Sequence, residues 1–92
     1  MGKRLDEMTR EENTAEWSRR ANAILKGKTI KEARYLTDKE VEQFGWERSV
    51  VIIIFTDGTW VVPSSDDEGN DGGALFTSDE KEPTLPVMGW IR

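Results

Sequence analysis

The side chains best suited to bind a ligand are concentrated in one polar loop, residues 64–73. Its candidate ligand-binding residues are Ser64, Ser65, Asp66, Asp67, Glu68, Gly69, Asn70 and Asp71. Oxygen ligands suit Ca²⁺ and Mg²⁺, but the spacing departs from an EF-hand loop, because Gly69 stands where a ligand belongs. The same side chains and backbone amides can hydrogen-bond a polar small molecule, including its ribose hydroxyls or base amino groups. A solvated turn is the alternative interpretation.

A second candidate is a basic stretch with aromatic neighbours. It contains Arg19, Arg20, Lys31, Arg34 and Tyr35, with Trp17 or Trp46 nearby. Guanidinium groups bind carboxylates or phosphates, and aromatic faces stack on bases. We therefore predict that Arg34 and Tyr35 converge with the 64–71 loop on one ligand. A solvated helix face, with the Trp side chains in the core, is the alternative.

Two residue types that support much of enzyme chemistry are missing. The chain contains no His and no Cys, which removes Ser-His-Asp and Cys-His catalysis and zinc sites built on these ligands. A carboxylate pair could come from the loop, but nothing in the sequence sets the separation of its members. We predict a non-enzymatic protein with no catalytic residue, no metal site and no cofactor.

Charge is divided unevenly along the chain. Residues 1–55 carry 11 Lys and Arg against 10 Asp and Glu, a net charge of +1, whereas residues 56–92 carry 2 against 8, a net charge of −6. The acidic second half argues against general nucleic-acid binding, which depends on neutralising phosphates. The longest apolar run, 50–55, is too short to cross a membrane, and the charged N-terminus does not fit a signal peptide. We expect a cytoplasmic protein, in a bacterial host if it is viral.

An amphipathic helix is predicted near the N-terminus. Residues 1–12 are charged and are predicted to be frayed, with a single domain over 13–92. Two capping-box patterns, Thr9–Glu12 and Asn13–Glu16, could begin the helix. Gly27 is suited to end it. One apolar stripe follows the helical period, formed by Trp17, Ala21, Ile24 and Leu25.

A β-hairpin from Val50 to Val62 is the strongest structural signal. Asp57-Gly58 favours a two-residue type I′ turn. That turn places Phe55 opposite Trp60 and Ile53 opposite Val62. Both faces of the hairpin are apolar, so both need cover. A helix, the C-terminal segment or a second subunit could provide it, which keeps a homodimer open.

The remaining elements complete the predicted fold class. Residues 29–36 read as a strand, and Thr37–Glu40 is a capping box that begins a short helix closed by Gly45. A short strand is expected at 74–77, and the apolar segment 85–91, with Trp90, is expected to dock on the core. The prediction is an α+β fold: a small antiparallel sheet centred on the hairpin, an N-terminal amphipathic helix and one short helix.

Four stretches carry a resemblance to a known family. They are Glu32-Ala33-Arg34-Tyr35-Leu36-Thr37, Gly45-Trp46, Asp57-Gly58-Thr59 and the loop segment PSSDDEGNDGGALF at 63–76. Through them, residues 29–88 resemble a small family of uncharacterised proteins of phages and environmental bacteria. The resemblance implies a compact accessory protein of viral origin. By this resemblance we expect one of two roles. The protein would either inhibit a host protein or bind and sequester nucleotide signals of host defence.

Three functional hypotheses follow. The first is a binder of a small polar, nucleotide-like ligand, such as a host defence signal. The second is an acidic interaction module that inhibits a host protein, with association accelerated by electrostatic attraction. The third is a structural protein stabilised by a cation.

Overall fold

The computed structural model describes residues 9–89 of the chain. Two helices and seven short strands follow one another along it. In chain order they are α1 (Arg10–Leu25), β1 (Ile30–Tyr35), α2 (Asp38–Phe44), β2 (Arg48–Ser49), β3 (Val51–Phe55), β4 (Trp60–Val61), β5 (Leu75–Phe76), β6 (Thr84–Leu85) and β7 (Met88–Gly89). The predicted α+β fold with small antiparallel sheets is confirmed.

The first of the two capping boxes begins helix α1. The Thr9 hydroxyl accepts the backbone N–H of Glu12, and the Glu12 carboxylate accepts the backbone N–H of Thr9. Residues 10–12, predicted to be frayed, therefore form the first helical turn. After Leu25 the chain leaves the helix through Gly27, whose φ of 77° favours glycine. No residue of α1 is buried, so its apolar stripe does not form part of the core.

The main sheet has three antiparallel strands in the order β1-β3-β4. Because side chains alternate along a strand, Val50, Ile52 and Ile54 share one face, and Val51, Ile53 and Phe55 share the other. The first face carries the core, since Val50 and Ile52 are buried together with residues of α2. On the other face the end of the chain contacts strand β1, where the Tyr35 hydroxyl donates to the carbonyl of Pro86 over 2.8 Å.

The hairpin forms, but the predicted turn and register are wrong. Ile54 pairs with Trp60 and Ile53 with Val61, one residue away from the predicted pairs. Phe55 N–H donates to the carbonyl of Thr59, which leaves residues 56–58 as a three-residue loop. Only Gly58 in this loop has a positive φ, at 88°, whereas a type I′ turn needs two such residues. The φ of Asp57 is not positive, and its carboxylate accepts the backbone N–H of Thr59 over 2.9 Å.

Helix α2 closes the core over the sheet. It begins at the predicted capping box, where Thr37 and Glu40 exchange side-chain and backbone hydrogen bonds, and it ends at Gly45 with φ 75°. Its Val41 is fully buried. The buried cluster around it consists of Leu36, Val41, Trp46, Val50 and Ile52. The cover on this face of the hairpin therefore comes from α2 and not from the N-terminal helix.

The acidic second half of the chain forms two further ribbons. Strand β5 pairs with β6, and β7 pairs with β2. The pairing of Met88 with Ser49 docks the end of the described chain on the core, as the apolar composition of that segment predicts. Trp90 and residues 1–8 lie outside the described residues. Within residues 9–89, neither helix has the length and apolar character needed to span a bilayer.

Candidate ligand-binding groove

A groove of about 430 Å³ lies between α2 and the three-stranded sheet. Its floor consists of Ile52 and Ile54, the residues of β3 that share the core face of the sheet. Phe44 and Gln43, at the end of α2, form one wall, and Trp60 of the edge strand β4 lies at the rim, in contact with Phe44. The volume and the predominance of apolar walls are those of small-molecule sites.

Aromatic rings dominate one side of this groove. Phe44 stacks on Trp46 with ring centroids 4.6 Å apart, and it meets Trp60 edge to face at 5.8 Å. Trp46 is buried, whereas Trp60 is 50% exposed. Trp60 lies there because it pairs with Ile54 across the hairpin, which puts both side chains on the groove face. The groove therefore offers a half-exposed indole to a ligand.

An ion pair between Arg34 and Glu40 lies in the groove wall. The guanidinium donates to both oxygens of the carboxylate, at 2.8 and 3.0 Å, and also to the carbonyl of Tyr35. The Arg34 guanidinium, followed by the backbone N–H of Thr37, lowers the pKa of Glu40 to about 2. The carboxylate in turn raises the pKa of Arg34. Both groups stay charged and hold each other, so neither is poised to accept or release a proton.

The local charge in this part of the groove is negative. The carboxylate of Glu32 lies 3.4 Å from Nε of Arg34, so that two carboxylates surround one guanidinium. Arg34 is therefore a weak site for a phosphate. The side-chain amide of Gln43 makes no hydrogen bond within residues 9–89, and it offers a donor and an acceptor beside Phe44.

The 64–71 loop uses its polar groups on itself. One Asp66 oxygen accepts the backbone N–H groups of Glu68 and Asn70, and the other accepts the side-chain amide of Asn70 over 2.8 Å. That side-chain amide, followed by the backbone N–H of Asn70, holds the pKa of Asp66 below its usual value. Ser64 donates its hydroxyl to the carbonyl of Asp71. These are turn-forming bonds. The side chains of Ser65, Asp67 and Glu68 make no hydrogen bond or ion pair within residues 9–89.

The base of the loop is fixed against the core. The indole N–H of Trp46 donates to the carbonyl of Gly69 over 2.7 Å. Ser64 and Gly72 form an isolated bridge, and Gly72 lies so close to Val50 that a Cβ there would overlap the Val50 side chain. Asp71 accepts the backbone N–H groups of Gly72 and Glu47. The loop thus covers Trp46 and closes one end of the core.

The predicted site residues lie in separate places. Arg34 lines the groove, but Tyr35 is on the opposite face of the sheet, because neighbouring residues of a strand alternate. Within residues 9–89, no hydrogen bond or ion pair joins Arg34 or Tyr35 to the loop. The loop comprises Ser64, Ser65, Asp66, Asp67, Glu68, Gly69, Asn70 and Asp71. The convergence of Arg34, Tyr35 and this loop on one ligand stays a prediction that these contacts do not support.

The other predicted features are placed as follows. Glu16 forms ion pairs with Arg19 and Arg20, so one carboxylate partly offsets the charge of two guanidinium groups of the basic stretch. Across residues 9–89, no three carboxylates are grouped closely enough to hold a metal ion. Gln43, Phe44 and Trp60 were not predicted as site residues. In the sequence, Phe44 and Trp60 cannot be told apart from aromatic residues that pack in the core. Nothing in the sequence sets Gln43 apart from other exposed polar residues.

Comparisons with protein-family models, with curated proteins and with solved structures found no match to this chain. The resemblance of the 63–76 segment to proteins of phages and environmental bacteria therefore stays a prediction. Functional inference depends on the groove and the surface of the molecule.

Proposed function

We propose that this protein is a non-enzymatic binding protein whose groove takes a flat heteroaromatic ring, such as the base of a nucleoside or nucleotide. The observation that carries the proposal is the half-exposed indole of Trp60 at the rim of an apolar groove. A base that stacks on an aromatic side chain gains about 1–3 kcal/mol, and this gain tolerates different bases. Nucleotide signals of host defence belong to this ligand class.

The groove supplies the other elements that such a ligand needs. Ile52 and Ile54 form an apolar floor on which the ring can exclude water. The free amide of Gln43 can pair with a ring nitrogen or an exocyclic amino group, because it both donates and accepts. Stacking gives the affinity and the amide gives the orientation.

Charge sets the form of ligand that we expect. Arg34 is held by Glu40 and lies near Glu32, so no unpaired cation among the groove residues faces a phosphate. The base should therefore contribute most of the binding, and a nucleoside should bind at least as well as its monophosphate. The absence of catalysis is proposed on the same ground, because the ionisable groups that line the groove, Arg34 and Glu40, bind each other.

Calorimetric titration with adenosine and with AMP tests this proposal. We expect saturable binding of adenosine that is at least as tight as that of AMP. Trp60→Ala should weaken adenosine binding by about tenfold or more, since it removes the stacking surface. Phe76→Ala is the matched control, because Phe76 is an exposed aromatic outside the groove. No saturable binding at millimolar ligand, or equal affinity of the Trp60 variant, would refute the proposal.

A second function is favoured by a different surface, the ribbon of β5 and β6. Phe76 is 80% exposed there, and the following turn carries Asp79, Glu80 and Glu82. An exposed aromatic side chain beside acids suits an interaction module that docks on a basic partner with an apolar pocket. A pull-down from bacterial lysate supports this function only if one band is lost both at high salt and with Phe76→Ala. A band pattern that is the same for wild type and Phe76→Ala counts against it.

A further inference from the structure

Helix α1 carries apolar side chains that the rest of residues 9–89 leaves largely exposed, although the guanidinium of Arg20 lies over one face of the Trp17 ring, 4.5 Å from its centroid. Trp17 is 53% exposed and Ile24 is 61% exposed, and no residue of the helix is buried. A 16-residue helix is marginally stable in water on its own, and helices in proteins depend mostly on packing of an apolar face. The stripe formed by Trp17, Ala21 and Ile24 therefore needs a partner.

The C-terminal end of this stripe borders a second groove. Ile24 and Leu25, together with Phe55, Trp60 and Val61, line a volume of about 310 Å³ between the end of α1 and the hairpin. Its size is that of a site for a large apolar group. Trp17 lies seven residues before Ile24, about 10 Å along the same face of the helix. It is too far from this groove to fill it within one chain.

We propose that a second copy of this chain covers α1, with the two helices antiparallel. A twofold axis between Arg20 and Ala21 brings Trp17 of each copy to Ile24 of the other. Each indole then enters the other copy's groove, and each groove is filled by the residue that its own chain leaves exposed. Ala21 lies at the crossing point, where a small side chain allows the helices to approach closely.

The charge pattern of the helix determines the orientation. Residues 10–16 carry one Arg and three Glu, whereas the other end of the helix, 25–28, carries Lys26 and Lys28 and no acid. Arg19 and Arg20 lie beside the twofold axis and pair with Glu16 of their own helix, so they do not take part in this contact. An antiparallel pair sets the acidic start of each helix near the basic end of the other, and a parallel pair sets like charges together. Lys28 pairs with Asp57 of its own chain, whereas Lys26 has no ion-pair partner within residues 9–89 and is available for this contact.

The dimer does not depend on the proposed ligand, although Trp60 lines both grooves. It can be tested by sedimentation velocity over a series of concentrations, without ligand. We expect a species of twice the single-chain mass that dissociates on dilution. Trp17→Ala and Ile24→Ala should each raise the dissociation constant by about tenfold or more, as for an anchor residue in an interface.

Phe76→Ala is the matched control, because Phe76 is an aromatic side chain with 80% exposure that lies outside the helix and lines neither groove. It should leave the dimer unchanged. Both Trp17 and Ile24 are exposed in the single chain, so their truncation should preserve cooperative unfolding of the core. A single-chain mass at every concentration would overturn the proposal, as would a dimer that withstands Trp17→Ala.

A distance measurement tests the orientation. Spin labels at Thr14→Cys should lie about 20 Å apart in the antiparallel pair, because residue 14 of one helix faces residue 27 of the other. A parallel pair would bring the two labels within about 10 Å, the usual separation of packed helix axes. The chain has no native Cys, so the label is specific. A distance near the shorter value would overturn the antiparallel arrangement, and a dimer strengthened by salt would contradict its charge pairing.

Discussion

Trp46 links the acidic loop to the groove, because its indole N–H donates to the carbonyl of Gly69 over 2.7 Å while its ring stacks on Phe44. Phe44 is in turn a wall of the groove. One buried side chain therefore contacts both the loop and the wall of the groove. The loop supports the groove from behind rather than forming part of its surface.

Loss of this hydrogen bond should destabilise the fold. Trp46→Phe keeps an aromatic ring for Phe44 but leaves the Gly69 carbonyl without its donor, which should cost about 1–3 kcal/mol of unfolding free energy. Trp60→Phe is the control, since Trp60 is half-exposed and should change stability by less than about 0.5 kcal/mol. Urea unfolding measures both. Equal losses in the two variants would show that the bond to Gly69 does not hold the loop.

The closing turn of the loop should be sensitive to one added methyl group. A Cβ on Gly72 would overlap Cγ1 of Val50, a fully buried side chain, so Gly72→Ala should cost about 1–3 kcal/mol. Gly89→Ala is the matched change, because no atom lies within 4 Å of a Cβ built there. Thermal and urea unfolding should separate the two variants. If Gly72→Ala is as stable as Gly89→Ala, the loop does not pack on Val50 as described.

Acid should weaken the fold through Glu40. Its pKa is lowered to about 2 in the folded state, from a usual value of 4.5. At a pH between these two pKa values, the carboxyl of Glu40 binds a proton more readily in the unfolded chain than in the folded one. The contribution of Glu40 to the free energy of unfolding is therefore complete above about pH 4.5 and is lost as the pH falls through about 2. Glu16, whose pKa is also lowered to about 2 by Arg19 and Arg20, acts in the same direction.

Glu40→Gln should reduce this acid sensitivity. The amide keeps the capping-box geometry but cannot titrate. We expect the variant to be less stable than wild type at neutral pH and to lose less stability on acidification into this window. Glu42→Gln, an exposed change on the same helix, controls for the loss of one charge. An acid dependence of Glu40→Gln equal to that of wild type would contradict the role given to the Arg34 pair.

Local signals predicted most of the elements. Both capping boxes, at Thr9 and Thr37, and the helix ends at Gly27 and Gly45 agree with the structure, because they depend on residues within one turn. The register of the hairpin could not be predicted from such local signals. Asp-Gly is compatible with two- and three-residue loops, and the choice depends on φ at Asp57, which the sequence does not set.

The site could be predicted only in part, because it depends on contacts between distant segments. Arg34 was identified from its type, but its pairing with Glu40 requires the turn between β1 and α2. The loop looked suited to a ligand because of its composition. Asn70 and the backbone satisfy Asp66, and only the folded geometry shows this. Trp60 reaches the groove through the register of β4, which differs by one residue from the pairing that a two-residue Asp57-Gly58 turn predicts.

The most direct test of the proposed groove is an NMR titration of ¹⁵N-labelled protein with adenosine. The proposal predicts saturable shifts that are largest at the indole N–H of Trp60, the side-chain amide of Gln43 and the backbone of Ile52 and Ile54. Residues of the 64–71 loop should shift little, because Trp46 separates them from the ligand. Saturable shifts confined to that loop, or no saturable shift at millimolar adenosine, would contradict the proposal.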